Sequence, residues 1–387
     1  MGQTIISPPV TGQSTAWSAT NPLGQKYWTN YCTFNAPTNT GSLSNAVNTR
    51  IQYSNGYYFF GDTNGWVWYS TDAKTWNAVQ PNTTYSITGI AYNGTIWVVV
   101  YSNNTIYTAS TPSGTWTART SQITGTSGIQ DVRWIPQLSL FIACGTPSAA
   151  PWNVIESSPD GITWTSRYSN PAANTTLYSM IALDDTTATP TIAIGSNNAN
   201  TASVVYSTNG TSWTGTNANN SNAASSIQFI KGALSRFVAV NSGGGFYAQT
   251  SAAIGTAWNT TPYVTARMMF YSQPFTNGTL NNYSVGELQY DSVNNLYYML
   301  ALYNNGSGIV NLPTLFTLDA SKLVTPYLIT GTQTNFSFPI IKTEYLPSIS
   351  FGQTTNNYGS AGYGYVNGIH IWATNDNGYN RQIYTTA

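Results

Sequence analysis

Apolar residues recur in this chain with a period of two, in short runs punctuated by Gly, Asn and Ser. Ile51-Gln52-Tyr53-Ser54-Asn55-Gly56-Tyr57-Tyr58-Phe59-Phe60-Gly61 is typical, and Val67-Trp68-Tyr69-Ser70 follows it. Alternation of this kind, rich in Val, Ile, Tyr, Trp and Thr, predicts half-buried β-strands. Asn-Gly at 55–56, 93–94 and 209–210 predicts tight hairpins, because both residues tolerate positive φ. No window carries a capped pattern of helical period.

The strand pattern repeats. Each unit runs as an alternating strand, a turn, a second strand, then a polar turn ending in Trp. The closing residues are Trp76, Trp116, Trp164, Trp213 and Trp258, which stand 40 to 49 residues apart. Two weaker units follow. One runs from Leu288-Gln289-Tyr290-Asp291 to Phe316-Thr317-Leu318-Asp319. The other starts near Thr343-Glu344-Tyr345 and ends at Ile371-Trp372-Ala373-Thr374-Asn375-Asp376-Asn377-Gly378. A unit of about 45 residues with four short strands cannot cover both faces of its own sheet, and radial stacking against neighbours does so. The expected fold is therefore all-β: a single β-propeller of seven blades of four antiparallel strands, over residues 46–387. Residues 1–45 lie outside the repeat and read as an N-terminal arm. Tyr27–Phe34 within it is a candidate strand, either closing the last blade or docking onto a larger assembly.

Ser158-Pro159-Asp160-Gly161-Ile162-Thr163-Trp164 resembles the Asp-box of sialidase-type β-propellers, with a turn one residue shorter. Ser70–Trp76 and Ser207–Trp213 resemble it too, departing at Lys74 and Asn209. The resemblance implies that Asp72, Asp160 and Asn209 accept amide hydrogens within a hairpin turn, with Gly161 and Gly210 beside them. It also implies that Trp76, Trp164 and Trp213 pack between sheets, with Trp116 in the corresponding place of the second unit. In that family the box is a folding device remote from the catalytic centre, so it predicts a blade and no activity.

Composition narrows the function classes. Of 387 residues only 6% are charged, with 12 basic against 12 acidic; an ordinary soluble domain carries roughly 25%. With no basic field, nucleic-acid binding by counterion release is not expected. A hydrophobic content of 41% with 28 Tyr and 13 Trp suffices for a core and argues against a disordered chain. The longest apolar run, Ile96–Tyr101, is far shorter than the roughly 20 residues of a membrane helix. The first residues show no secretory pattern. Cys32 and Cys144 give no disulfide framework, and Cys144 lies in an apolar strand pattern as a buried free thiol.

Catalytic constellations are sparse. Sialidase chemistry needs an arginine clamp for a carboxylate. The arginines stand at 50, 119, 133, 167, 236, 267 and 381, and Arg119 and Arg167 follow the box positions on outer strands. Thr49-Arg50-Ile51-Gln52 is the nearest sequence to that family's Phe-Arg-Ile-Pro. Glycoside hydrolysis needs two carboxylates across a bond, and the adjacent pair Asp184-Asp185 reads as a polar turn. His370, the sole histidine, sits in a strand with Ile369 and Ile371 on the opposite face. One His and two separated Cys supply no zinc ligand spacing. Asn375–Gly378 lacks the downstream Glu of a calcium loop, and Gly243-Gly244-Gly245 has no following Lys. No cofactor and no metal are expected.

The surface must instead be built of Asn, Thr, Ser, Gly and Tyr. That palette suits contact with another neutral surface or with sugar, stacked on aromatic faces and hydrogen-bonded by amides. It resembles that of bacteriophage fibre, spike and decoration proteins. The expected function is a non-enzymatic virion component, in a tail fibre, baseplate or capsid decoration. Its partners would be other virion proteins and host-surface glycan, with no membrane insertion, and it would be assembled in the host cytoplasm. Alternatives are a secreted or surface propeller lectin and a degenerate sialidase-like glycosidase. Candidate ligand contacts are Tyr303, Tyr358, Tyr363, Tyr365 and Trp372, on the lengthened sixth and seventh units near the central mouth.

Overall fold

The computed structural model describes residues 33–35, 49–62, 64–82, 85–125, 128–169, 181–195, 204–216, 224–231, 235–241, 245–248, 264–265, 289–303, 312–321, 340–345, 362–375 and 381–386. Among them the chain is all β, apart from a single 3-10 turn at Pro136–Leu138. The strands form seven sheets in chain order.

The first sheet holds β1 (Thr33–Asn35), β2 (Gln52–Ser54), β3 (Tyr57–Gly61), β4 (Val67–Ser70) and β5 (Thr75–Val79). The second holds β6 (Ile87–Tyr92), β7 (Trp97–Tyr101), β8 (Thr105–Ala109) and β9 (Thr117–Thr120). The third holds β10 (Ile129–Ile135), β11 (Leu140–Gly145), β12 (Asn153–Ser158) and β13 (Thr165–Ser169). The fourth holds β14 (Ala182–Asp184), β15 (Thr191–Gly195), β16 (Val204–Ser207) and β17 (Thr214–Thr216). The fifth holds β18 (Ala224–Ile230), β19 (Arg236–Asn241), β20 (Gly245–Ala248) and β21 (Val264–Thr265). The sixth holds β22 (Gln289–Asp291), β23 (Leu296–Tyr303), β24 (Leu312–Asp319) and β25 (Ile340–Tyr345). The seventh holds β26 (Gly362–Val366), β27 (Ile369–Asn375) and β28 (Arg381–Thr385). Five of the sheets are four-stranded antiparallel meanders.

Two details differ from the sequence reading. Ile340–Tyr345 is the fourth strand of the sixth sheet, paired with β24, and the seventh begins at Gly362. The apolar alternation around Tyr345 marks a strand without saying which sheet it joins. The strand from the N-terminal arm pairs parallel with β5 at the outer edge of the first sheet, in the register Phe34↔Trp76, and among the described residues the last sheet has three strands.

The core lies between sheets. Phe59, Val67 and Ile87 pack with Ile90, Trp97 and Val99 between the first and second. Val98 and Val100 meet Val132, Phe141 and Ala143 between the second and third. Ile142 and Val154 meet Ile192 and Ile194, and Ala193 and Val204 meet Ile227 and Phe237. Leu296 and Leu315 meet Trp372. Ile51, Tyr58 and Trp76 meet Ile371, Ala373 and Ile383, so the last sheet packs on the first and the ring closes. Asn367 Nδ2 donates to Tyr58 Oη across the same seam at 3.0 Å. Alternation explains the arrangement: Val98 and Val100 face one neighbour while Trp97 and Val99 face the other. First strands of adjacent sheets lie close together, β6 beside β10, β14 beside β18, β22 beside β26 and β2 beside β26, and so converge on the axis. Between β6 and β10 a Cβ on Gly89 would stand 2.5 Å from Val132 N, which only glycine avoids.

The Trp-closed turns wedge the sheets together. Asp72 Oδ1 accepts from the Lys74 and Thr75 amides at 2.7 and 2.6 Å and from Ser70 Oγ at 2.9 Å. Asp160 Oδ1 does the same with Ile162, Thr163 and Ser158, and Asn209 Oδ1 with Thr211, Ser212 and Ser207. The closing indoles of Trp76, Trp164 and Trp213 donate to the carbonyls of Ala73, Gly161 and Gly210 at 3.1, 3.0 and 3.3 Å. Those three residues share a left-handed φ, between 58° and 72°. Trp76 packs towards the last sheet, Trp164 towards the second and Trp213 towards the third. Trp116 packs towards the first, with its Nε1 on the Pro112 carbonyl.

Candidate functional site

The axis is the natural place to look for a site, because side chains of the first strands converge there. They form a chain of bonds from sheet to sheet. Gln52 Nε2 donates to the Ile90 carbonyl at 2.8 Å, and Thr88 Oγ1 donates to the Ile129 carbonyl at 2.6 Å. Arg133 Nη1 donates to the Ile181 carbonyl at 3.0 Å. Arg50, just before β2, reaches across: Nη1 meets Asp131 Oδ2 at 2.8 Å and Nη2 meets the Ile181 carbonyl at 2.8 Å. Asp131 Oδ2 also accepts the Ile181 amide at 2.7 Å. The Arg50 and Asp131 side chains are 11% and 5% exposed, so this is a buried pair tying the first, third and fourth sheets. Its bonds hold the ring, and breaking one partner of such a pair costs about 3–5 kcal/mol.

The other described carboxylates are similarly engaged. Asp62 accepts the Asn64 and Trp66 amides and the Trp68 indole, each at 2.9 Å. Asp184 accepts the amide and hydroxyl of Thr186, in the turn after β14. Asp185 pairs with Lys231 at 2.6 Å. Asp319 accepts from Ser321. Glu156, in β12, reaches the second sheet, where it accepts Ser121 Oγ at 2.9 Å and the Gln122 amide at 2.5 Å. Burial pushes its carboxyl up to about 7, against the bonds that favour the anion. At Asp72 and Asp160 burial also acts upwards, but the turn amides and hydroxyls outweigh it and hold both carboxyls below the usual range. Arg119 Nε and Arg167 Nε donate to Thr108 and Ser157 hydroxyls on the adjacent strands at 2.9 and 2.7 Å. Among the described residues no three of His, Cys, Asp and Glu cluster as metal ligands, and no helix is long and apolar enough to cross a membrane. Cys144 is buried and forms no disulfide.

The candidate contacts of the last units fall unevenly. Tyr358 lies outside the described residues, and Tyr303 ends β23. Trp372 is 3% exposed and belongs to the core between the sixth and seventh sheets, because its strand position faces Leu296 and Leu315. Tyr363 and Tyr365 are half-buried against the same core. Tyr363 Oη lies 2.7 Å from His370 Nδ1. Tyr298, Tyr365 and His370 have ring centroids 4.5 to 4.8 Å apart. Tyr298 Oη donates to Asp291 Oδ2, which also accepts Asn294 Nδ2. Burial raises the Asp291 carboxyl, but the Asn294 and tyrosine bonds outweigh it and lower it overall. This group is a polar seam between two sheets. Sequence reasoning missed the axial set of Arg50, Asp131 and Arg133; only the position of Arg50 before the first strand hinted at it.

Fold and site together define an all-β propeller. No family model matches the sequence, and no curated protein does. Solved structures match in fold. YCF48 bound to a D1 peptide superposes with a TM-score of 0.53 at 9% identity, over 92% of this chain and 95% of that one. YCF48 from Cyanidioschyzon merolae gives 0.50 at 12%, over 92% and 97%. A GH74 enzyme from Niastella koreensis gives 0.46 at 16%, over 73% of this chain and 37% of that one.

Proposed function

We propose that this propeller is a non-enzymatic virion component, in a bacteriophage tail fibre, baseplate or capsid decoration, which contacts neighbouring virion subunits and host-surface glycan. One observation carries the reading: each carboxylate whose side chain is described is bonded within a turn or across a sheet seam. Such groups serve the scaffold and leave a neutral surface for contact. The Asp-box character of the three Trp-closed turns supports a robust repeat scaffold of this kind. A chain with 6% charged residues and 28 Tyr favours recognition through stacking and amide hydrogen bonds.

Mass spectrometry and labelled electron microscopy of purified particles from the same genome test the proposal. The chain is expected at a fixed copy number per particle and at one location. A chain found free in the lysate and absent from particles contradicts it, as does polysaccharide turnover abolished by one carboxylate substitution.

A further inference from the structure

The ends of the β2–β3 and β6–β7 hairpins carry a compact aromatic group. Tyr57 opens β3, Tyr69 lies towards the end of β4, Tyr92 ends β6 and Trp97 opens β7. The ring centroid of Tyr57 lies 6.4 Å from that of Tyr69, 6.1 Å from that of Tyr92 and 5.5 Å from that of Trp97, all steeply inclined. Tyr92 stacks on Trp97 at 4.3 Å and 13°. The two turn tips touch, since a Cβ on Gly94 would lie 3.1 Å from Asn55 Nδ2.

Two features separate this group from ordinary core. The three tyrosines are half-buried, and Tyr92 Oη donates to the Gly94 carbonyl at 2.8 Å in the turn, whereas Trp97 beside them is fully buried. Trp97 Nε1 is a buried donor with no acceptor among the described residues, and such a donor is costly to leave unpaired. The phenols also sense one another. Burial, with Tyr57 adding to it, raises the Tyr92 hydroxyl; the same two influences outweigh a Ser113 hydrogen bond at Tyr69.

The surroundings specify the ligand. β3, β4, β6 and β7 and the two turn tips contain no Asp, Glu, Lys or Arg. The rim is amide and hydroxyl, from Asn55, Asn93 and Thr95. A sugar ring presents C–H faces to aromatic rings and hydroxyls to amide and phenol groups, and a neutral one meets no charge to desolvate.

We propose that Tyr57, Tyr69 and Tyr92, at the hairpin ends of the first two blades, form a binding site for a neutral saccharide. The proposal rests on the binding role argued above and fixes its surface and ligand class. The full chain is applied to an array of neutral hexose and N-acetylhexosamine oligosaccharides, with sialylated and sulfated oligosaccharides and a proline-rich peptide panel alongside. Neutral oligosaccharides are expected to bind, and Tyr57→Ala to weaken them about tenfold per folded molecule. Tyr57→Phe, which keeps the ring, should lose about threefold, so the site stays testable if the alanine variant folds poorly. Neutral binding unchanged in both variants, or retention of only charged glycans or peptides, overturns the site. Neutral binding that survives both variants leaves the binding role intact and places the ligand elsewhere; presence in particles is measured separately.

Discussion

Glu156 shows what a scarce charge does here. It joins the third sheet to the segment after β9 through Ser121 and Gln122, and burial pushes its carboxyl from 4.5 to about 7. In that interval the folded chain holds a proton that the unfolded chain has released. Stability therefore falls as pH rises from 4.5 to about 7, by up to about 3 kcal/mol. Asp72 and Asp160 act oppositely and in another window: with lowered carboxyls they support the fold above the ordinary aspartate range and lose that support as pH falls below it. Urea midpoints measured between pH 5 and pH 8 should decline for the native chain and flatten in Glu156→Gln. Equal slopes in both proteins would remove Glu156 as the cause.

The turns carry the logic at the scale of elements. Gly161 stands at φ 72°, and a Cβ there would lie 2.8 Å from Val98 Cγ2 on the second sheet. The turn of the third sheet thus presses on the sheet before it. Gly210 does likewise against Ile142, while Ala73 in the first sheet occupies the same backbone region against the last. Gly161→Ala should destabilise by about 1–3 kcal/mol through left-handed strain and overlap, read as a lower urea midpoint with an unchanged slope. An unaltered midpoint would mean that the turn is free of its neighbour. The strands, hairpins and closing tryptophans were legible in sequence because each is a local signal: a period of two, an Asn-Gly pair, a Ser-x-Asp turn. Sheet membership was less legible. Ile340–Tyr345 pairs with β24 across a long connection, and Thr33–Asn35 pairs with a strand that follows it in sequence. No local pattern encodes either partner. Trp372 looked like a contact residue for the same reason, since an aromatic in a strand does not reveal which face its neighbours cover.

At the scale of the molecule, burial is a property of the ring. The second sheet is apolar on both faces in its middle strands, as Val98, Val99 and Val100 show, so without two neighbours it would expose core. Arg50 and Asp131 add a strut across the axis. Closure depends on the first and last sheets, which meet through Ile51, Phe60 and Trp76 on one side and Ile371 and Ile383 on the other. A double-mutant cycle on Ile51→Ala and Ile371→Ala, read by urea unfolding, measures that closure directly. Contact across the seam predicts a coupling of at least about 0.5 kcal/mol; two losses that simply add would contradict a closed ring.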